Sequence, residues 1–81
     1  MSDGIIEVDL HGMTKAQAKI AVDAALRRAD RGVYRLRLIH GFHGGTAIRD
    51  MVRTEYKAKP KVLRIELGMN PGQTDLVLRE W

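Results

Sequence analysis

Two hydrophobic periodicities alternate along this chain, and their order constrains its fold more than any other feature. Apolar residues recur at every second position in four short segments, a pattern typical of strands with one buried face. Between the first three of these segments, apolar residues recur at helical spacing. The predicted elements are strands over 5–10, 33–39, 61–67 and 74–79, a helix that Thr14 opens and a second helix that Gly45 or Thr46 opens.

This order, β-α-β-α-β-β, predicts an α/β fold, namely a two-layer α/β sandwich with a mixed four-stranded sheet and two helices. Helical crossovers favour a parallel alignment of the first three strands, whereas the short turn over 68–72 permits an antiparallel final pair. Thr14 and Gln17 have the spacing of a capping box at the start of the first helix. Gly32 is predicted to end that helix in the left-handed conformation, and Pro60 prevents the second helix from continuing.

Length and composition indicate one domain, residues 1–81. The absence of cysteine excludes disulfides, zinc–thiolate sites and thiol nucleophiles, so a reducing compartment is expected. No signal peptide is recognisable, and no apolar segment approaches the roughly 20 residues of a membrane span. We therefore expect a cytoplasmic monomer or weak dimer that does not enter a membrane. The surplus of 14 Lys and Arg over 10 Asp and Glu favours a polyanionic partner such as nucleic acid, although a net charge of +4 is also common among ordinary soluble proteins.

Three side chains that suit proton transfer follow the first two predicted strands. Asp9 and His11 are two residues apart and so share a face, and His40 ends the second strand. Because neighbouring parallel strands end at one sheet edge, where open α/β sheets bind ligands, these three residues are predicted to converge as catalytic residues. A carboxylate orients a base or holds a metal, and imidazoles titrate near neutrality. The alternative is structural, with Asp9 capping a turn and His11 partly buried.

A glycine-rich loop and a row of cations adjoin these residues. Glycines let the backbone approach a ligand, free amides at a helix start favour phosphate, and the cations recur at helical spacing. The predicted nucleic-acid-binding residues are Gly41, Phe42, His43, Gly44, Gly45, Arg49, Arg53 and Lys57. The alternatives are a purely structural turn and a solvated helix face. The three histidines with Asp9 match no zinc-ligand spacing, so no metal site is predicted.

The order and spacing of three short motifs resemble the small MutS-related (Smr) domain family over nearly the whole chain. The motifs are Asp-Leu-His-Gly-Met-Thr over 9–14, Leu-Ile-His-Gly over 38–41 with Arg49 in the next helix, and Gly-x-Thr-x-Leu-Val-Leu over 72–78. The resemblance implies a fold like the C-terminal domain of translation initiation factor three, nucleic-acid binding and, in many members, endonuclease or nicking activity on DNA or RNA. It associates Asp9 and His11 with cleavage. It associates His40 and Gly41 with substrate contact and activity.

The second motif departs from the family's His-Gly-x-Gly-x-Gly pattern. His43 replaces the first loop glycine, and Ile48-Arg49 falls one residue later than the family's Leu-Arg pair. The added imidazole indicates either an extra catalytic or phosphate contact or a subgroup that binds without cutting.

Our leading hypothesis is a stand-alone Smr-type domain that binds nucleic acid and hydrolyses phosphodiester bonds. The alternatives are a non-catalytic DNA- or RNA-binding module and a protein-interaction domain that dimerises through an exposed hairpin edge. The choice between DNA and RNA, and any requirement for Mg²⁺ or Mn²⁺, stay open at this point.

Overall fold

The sheet has four strands, and the last strand in the sequence lies inside it. The computed structural model describes residues 4–41, 46–67 and 70–80. The strands are β1 (Ile5–Asp9), β2 (Arg35–Ile39), β3 (Arg64–Glu66) and β4 (Gln73–Val77), in the spatial order β1-β2-β4-β3. β1 and β2 are parallel, and β4 is antiparallel to β2 and to β3. The predicted mixed sheet is therefore confirmed, with β3 running in the direction of β2 but separated from it by β4.

The helices connecting the first three strands are α1 (Lys15–Arg28) and α2 (Ala47–Glu55), and a 3₁₀ turn, Tyr56–Ala58, follows α2 before Pro60. The predicted capping box is present, because Thr14 Oγ1 accepts the Gln17 amide at 3.1 Å and Gln17 Oε1 accepts the Thr14 amide at 3.0 Å. The prediction for Gly32 is wrong. α1 ends at Arg28 with Ala29 in an extended conformation, and Gly32 is not among the glycines with positive φ.

Both helices cover the same face of the sheet. The two crossovers step in the same direction across the sheet, and since such crossovers are almost always right-handed, α1 and α2 fall on one side. The helices also bond to each other, because the Tyr56 hydroxyl donates to Asp23 Oδ1 at 2.6 Å. The fully buried residues between these layers are Leu10, Ala18, Val22, Ala25, Leu36, Leu38, Val52, Tyr56, Thr74 and Leu76.

The face of the sheet opposite the helices carries a network of ion pairs. Asp75 in β4 is 5% exposed, and its carboxylate accepts Arg35 Nη1 at 2.7 Å and Arg37 Nε at 3.4 Å. Arg35 also reaches Glu66 in β3 at 2.9 Å. These arginines are thus neutralised by carboxylates of the same sheet face, so they are poor candidates for binding a polyanion.

β3 is shorter than the predicted strand over 61–67. Val62 is held in a turn, where its amide donates to the Lys59 carbonyl at 3.0 Å. Leu63 and Leu67 flank the strand and are 56% and 52% exposed. The alternating pattern therefore extended beyond the residues that pair with β4.

Candidate functional site at the carboxyl ends of β1 and β2

The ends of β1 and β2 lie side by side, as the sequence predicted. Asp9 is paired with Ile39, and beyond this pair the Leu10 amide donates to the Ile39 carbonyl at 2.7 Å. Gly41 has a φ of +74°, and a Cβ built on it would be 3.8 Å from His11 Cβ. The Asp9-to-Gly12 segment and the His40-Gly41 segment are therefore in contact at one sheet edge.

Asp9 and His11 form an exposed hydrogen-bonded pair. His11 Nδ1 lies 2.6 Å from Asp9 Oδ1, and the same oxygen accepts the His11 backbone amide at 3.1 Å. Their side chains are 60% and 73% exposed, respectively. The side-chain hydrogen bond holds the pKa of the Asp9 carboxyl below its usual range and raises the pKa of the His11 imidazole. Because the carboxylate accepts the Nδ1 proton, the free lone pair of neutral His11 is on Nε2.

His40, in contrast, faces the helices and is only 8% exposed. Its Nδ1 lies 2.8 Å from the Gly41 carbonyl oxygen, and its Nε2 lies 2.8 Å from Thr74 Oγ1 in β4. Burial, aided by the nearby charges of Arg53 and Arg49, lowers the pKa of the His40 imidazole. The structure thus brings two of the three predicted catalytic residues into contact and bonds the third to a different strand.

The geometry of the two sheet faces explains this separation. Asp9 belongs to the set of β1 residues that points away from the helices, because its partner Ile39 alternates with the buried Leu38. His40 follows one residue later and lies with Leu38 on the helix side, where Thr74 is the cross-strand partner of Leu38.

Residues of the third sequence motif, over 72–78, form hydrogen bonds with His40 and Gly41 of the second motif. The carbonyl of Gly72 accepts the amides of both His40 and Gly41, each at 2.9 Å, and Thr74 bonds the His40 ring. Thr74 was not among the predicted site residues. The Gly72-x-Thr74 pattern was visible in the sequence, but only the pairing of β4 with β2 brings its hydroxyl to His40.

The three predicted cations differ in their surroundings. Arg53 Nε donates to Thr74 Oγ1 at 3.1 Å, whereas Arg49 Nε reaches the Asp50 carboxylate at 3.3 Å. Lys57 is exposed and lies in the 3₁₀ turn, so the predicted helical row is interrupted after Arg53. Gly41 is described above, and the remaining predicted binding residues, namely Phe42, His43, Gly44 and Gly45, lie outside the described residues.

Neither a metal cluster nor a membrane segment is found in the part of the chain that the structure describes. No three His, Asp or Glu side chains there lie together as metal ligands. None of the helices in the same residues is long and apolar enough to cross a bilayer.

These features define a small α/β domain with a polar site at the carboxyl edge of a mixed sheet. The chain belongs to the Smr domain family, whose model matches residues 8–73. It is also similar to the Smr domain of Thermus thermophilus MutS2, known from a crystal structure. The TM-score is 0.83 with 35% sequence identity, and the match covers 93% of this chain and 99% of that chain. No curated protein sequence matches the chain. The family is associated with nuclease activity.

Proposed function

We propose that this Smr domain binds the phosphodiester backbone of nucleic acid and cleaves it, with Asp9 and His11 as the proton-transfer pair. The observation that carries this proposal is the 2.6 Å hydrogen bond between Asp9 and His11 on exposed side chains at the sheet edge. A carboxylate that orients an imidazole is a recurring arrangement for general acid–base chemistry.

In the proposed reaction, His11 Nε2 removes a proton from the attacking oxygen, which belongs to water or, in RNA, to the ribose 2′-hydroxyl. That oxygen bonds to phosphorus, and the bond from phosphorus to the leaving oxygen breaks. The leaving oxygen then takes a proton from the imidazolium or from water. Asp9 stays ionised because its hydrogen bond to His11 lowers its pKa, and its charge stabilises the imidazolium.

Binding in this proposal relies on cations beside the sheet edge. Arg53 and Arg49 lie on α2 near His40, close enough to depress the pKa of its ring. Lys57 adds an exposed charge beyond the helix. The net charge of +4 is consistent with a polyanionic ligand, since backbone phosphates are bound mainly by Lys and Arg.

A second candidate function is binding without cleavage. The observation that favours it is the state of His40, whose two ring nitrogens are both bonded within the protein. A buried imidazole bonded in this way does not exchange protons with a substrate, which leaves one exposed acid–base pair for both proton transfers.

Cleavage assays with three variants distinguish the two candidates. Purified protein is incubated with supercoiled plasmid and with labelled single-stranded RNA, with and without divalent metal, beside Asp9→Asn, His11→Gln and Glu7→Gln. Glu7 is the matched control because it is an exposed acid on the same strand. Cleavage that is lost in the first two variants and kept in the control supports the proposal. Undiminished cleavage by Asp9→Asn refutes it, and a wild type that shifts nucleic acid on a gel without cutting supports the second candidate.

The pH dependence of cleavage provides a further test of the pair. Because Asp9 raises the pKa of His11, the base form of wild-type His11 appears only as the pH rises through this raised value. Asp9→Asn removes the carboxylate, so the rise in rate is expected to move to lower pH while the plateau falls. A profile that keeps its midpoint in Asp9→Asn contradicts the role of the pair.

A further inference from the structure

Within the described part of the chain, Arg53 is the arginine whose guanidinium is hydrogen-bonded to a buried hydroxyl. Its Nε donates to Thr74 Oγ1, and Thr74 is fully buried. Arg35, Arg37, Arg49 and Arg64 instead pair with carboxylates. No carboxylate in the described ranges lies within ion-pair distance of Arg53, and its charge acts only at longer range on Asp50, where it helps to lower the pKa of that carboxyl.

The directions of the hydrogen bonds around His40 follow from the chemistry of the acceptors. The Gly41 carbonyl can only accept, so His40 Nδ1 carries the proton. In the neutral ring Nε2 is then an acceptor, and the Thr74 hydroxyl donates its single proton to it. Thr74 Oγ1 must therefore accept from Arg53 Nε, as its distance of 3.1 Å allows. The result is a continuous relay from Arg53 through Thr74 and His40 to the backbone of Gly41.

We propose that His40 and Thr74 are positioning residues that fix the guanidinium of Arg53, so that its outer N–H groups bind one phosphate of the nucleic-acid backbone. This inference rests on the proposed function, since it assumes that the ligand is a nucleic acid. Arg53 is half-buried, and its partner Thr74 lies beside the carboxyl end of β2, the sheet edge at which β1 ends with Asp9. An arginine oriented through Nε presents its remaining donors as a fork, which matches two phosphate oxygens.

The relay requires His40 to be neutral. With a second ring proton, Nε2 would donate to Thr74 Oγ1 instead of accepting from it. The hydroxyl hydrogen would then lose its acceptor, and the oxygen would face two cationic N–H donors, His40 Nε2 and Arg53 Nε. The charged groups near the ring are Arg49 and Arg53 from α2, which oppose its protonation, and burial against the core acts in the same sense. No acidic group contributes to the pKa of His40 among the described residues.

Nitrogen-15 NMR of the histidine rings tests the relay in the free protein, without any nucleic acid. At neutral pH we expect His40 to be in the Nδ1–H tautomer, with Nε2 unprotonated, although free histidine prefers the other tautomer. We also expect the Arg53 Nε proton to exchange slowly with water in the wild type and in Thr74→Ser, and rapidly in Thr74→Val. A protonated Nε2 at neutral pH, or rapid exchange of the Arg53 proton in the wild type, overturns the relay.

Binding measurements test the role of Arg53 toward phosphate. Arg53→Lys keeps the charge but removes Nε and the fork, so we expect affinity for a labelled single strand to fall about 5- to 10-fold. Thr74→Val should show a similar loss and Thr74→Ser little, while Arg27→Lys on the exposed face of α1 controls for the exchange of arginine for lysine. Where cleavage is measured, Arg53→Lys and Thr74→Val should raise KM more than they lower kcat.

The possible failures are distinguishable. Wild-type affinity in Arg53→Lys overturns the oriented fork, even if Thr74→Val is too unstable to measure. A wild type that binds no nucleic acid overturns the proposed function and with it the phosphate role of Arg53, whereas the NMR result decides on the relay independently.

Discussion

Replacing Asp75 with alanine removes the buried carboxylate that Arg35 and Arg37 share on the open sheet face. Its side chain is 6% exposed, and those of Arg35 and Arg37 are 19% and 30% exposed. Alanine leaves Arg37 without its carboxylate, and Arg35 keeps only Glu66. Because β4 is an interior strand, the chain cannot move aside to hydrate these groups fully.

The expected loss lies between two limits. Breaking a fully buried ion pair by removing one partner costs about 3–5 kcal/mol, whereas an exposed pair contributes roughly 0–1 kcal/mol. Asp75 is buried, but the two guanidinium groups retain part of their hydration, so we expect Asp75→Ala to lower the free energy of unfolding by about 2–3 kcal/mol. For a domain of this size, that corresponds to a fall in Tm of roughly 10–20 °C.

Urea denaturation and thermal melting measure this effect, with Glu66→Ala as the matched control. Glu66 is 37% exposed and pairs with Arg35 and Arg64, so its removal should cost less than about 1 kcal/mol. In a double-mutant cycle, Arg35→Ala combined with Asp75→Ala should be less destabilising than the sum of the single changes. The reasoning is refuted if Asp75→Ala costs no more than Glu66→Ala, or if the two changes in the cycle are additive.

Three further substitutions have expected outcomes. Thr14→Ala removes the hydroxyl that caps α1 and should cost about 1 kcal/mol in urea denaturation, and an unchanged midpoint contradicts this. His40→Asn should remove a pH dependence of the free energy of unfolding. Burial lowers the folded-state pKa of His40, so its contribution to stability is present above the unfolded pKa of about 6.5 and is lost as the pH falls. Below that pH, the stability of the wild type should therefore decline more than that of the variant. Gly41→Ala should cost about 1 kcal/mol through its φ of +74°, because a Cβ would meet His11 only at ordinary contact distance, and calorimetry showing no loss would disprove it.

The sequence predicted the order of the elements and which strand residues are buried, because both depend on local patterns. Leu36 and Leu38 are fully buried in β2, as their alternation with arginine indicated. Element ends were less predictable. Gly32 looked like a helix terminator, but α1 had already ended at Arg28, and the Gly32 amide is bound by the Asp30 side chain at 2.9 Å. The hydrophobic periodicity of a sequence does not indicate a side-chain contact of this kind.

The candidate site was predictable only in part, for a similar reason. Asp9 and His11 are two residues apart, so their contact is local and follows from strand geometry. The contact of His40 with Thr74 joins residues 34 positions apart and depends on β4 entering the sheet beside β2. Parallel strand ends indicated that His40 lies near the site, and its spacing from Leu38 indicates its face, but Thr74 as the partner of its ring follows only from the pairing of β4 with β2.

The two histidines that follow β1 and β2 share a tautomer and differ in what surrounds Nε2. Each is held through Nδ1 by an acceptor, Asp9 Oδ1 for His11 and the Gly41 carbonyl for His40. On the exposed ring Nε2 is open to solvent and the carboxylate raises the pKa, whereas on the buried ring the Thr74 hydroxyl occupies Nε2 and burial lowers the pKa. Environments that push two pKa values apart separate the tasks of the two groups. The exposed histidine is therefore suited to transfer a proton. The buried histidine is suited to orient the Thr74 hydroxyl and, through it, the guanidinium of Arg53.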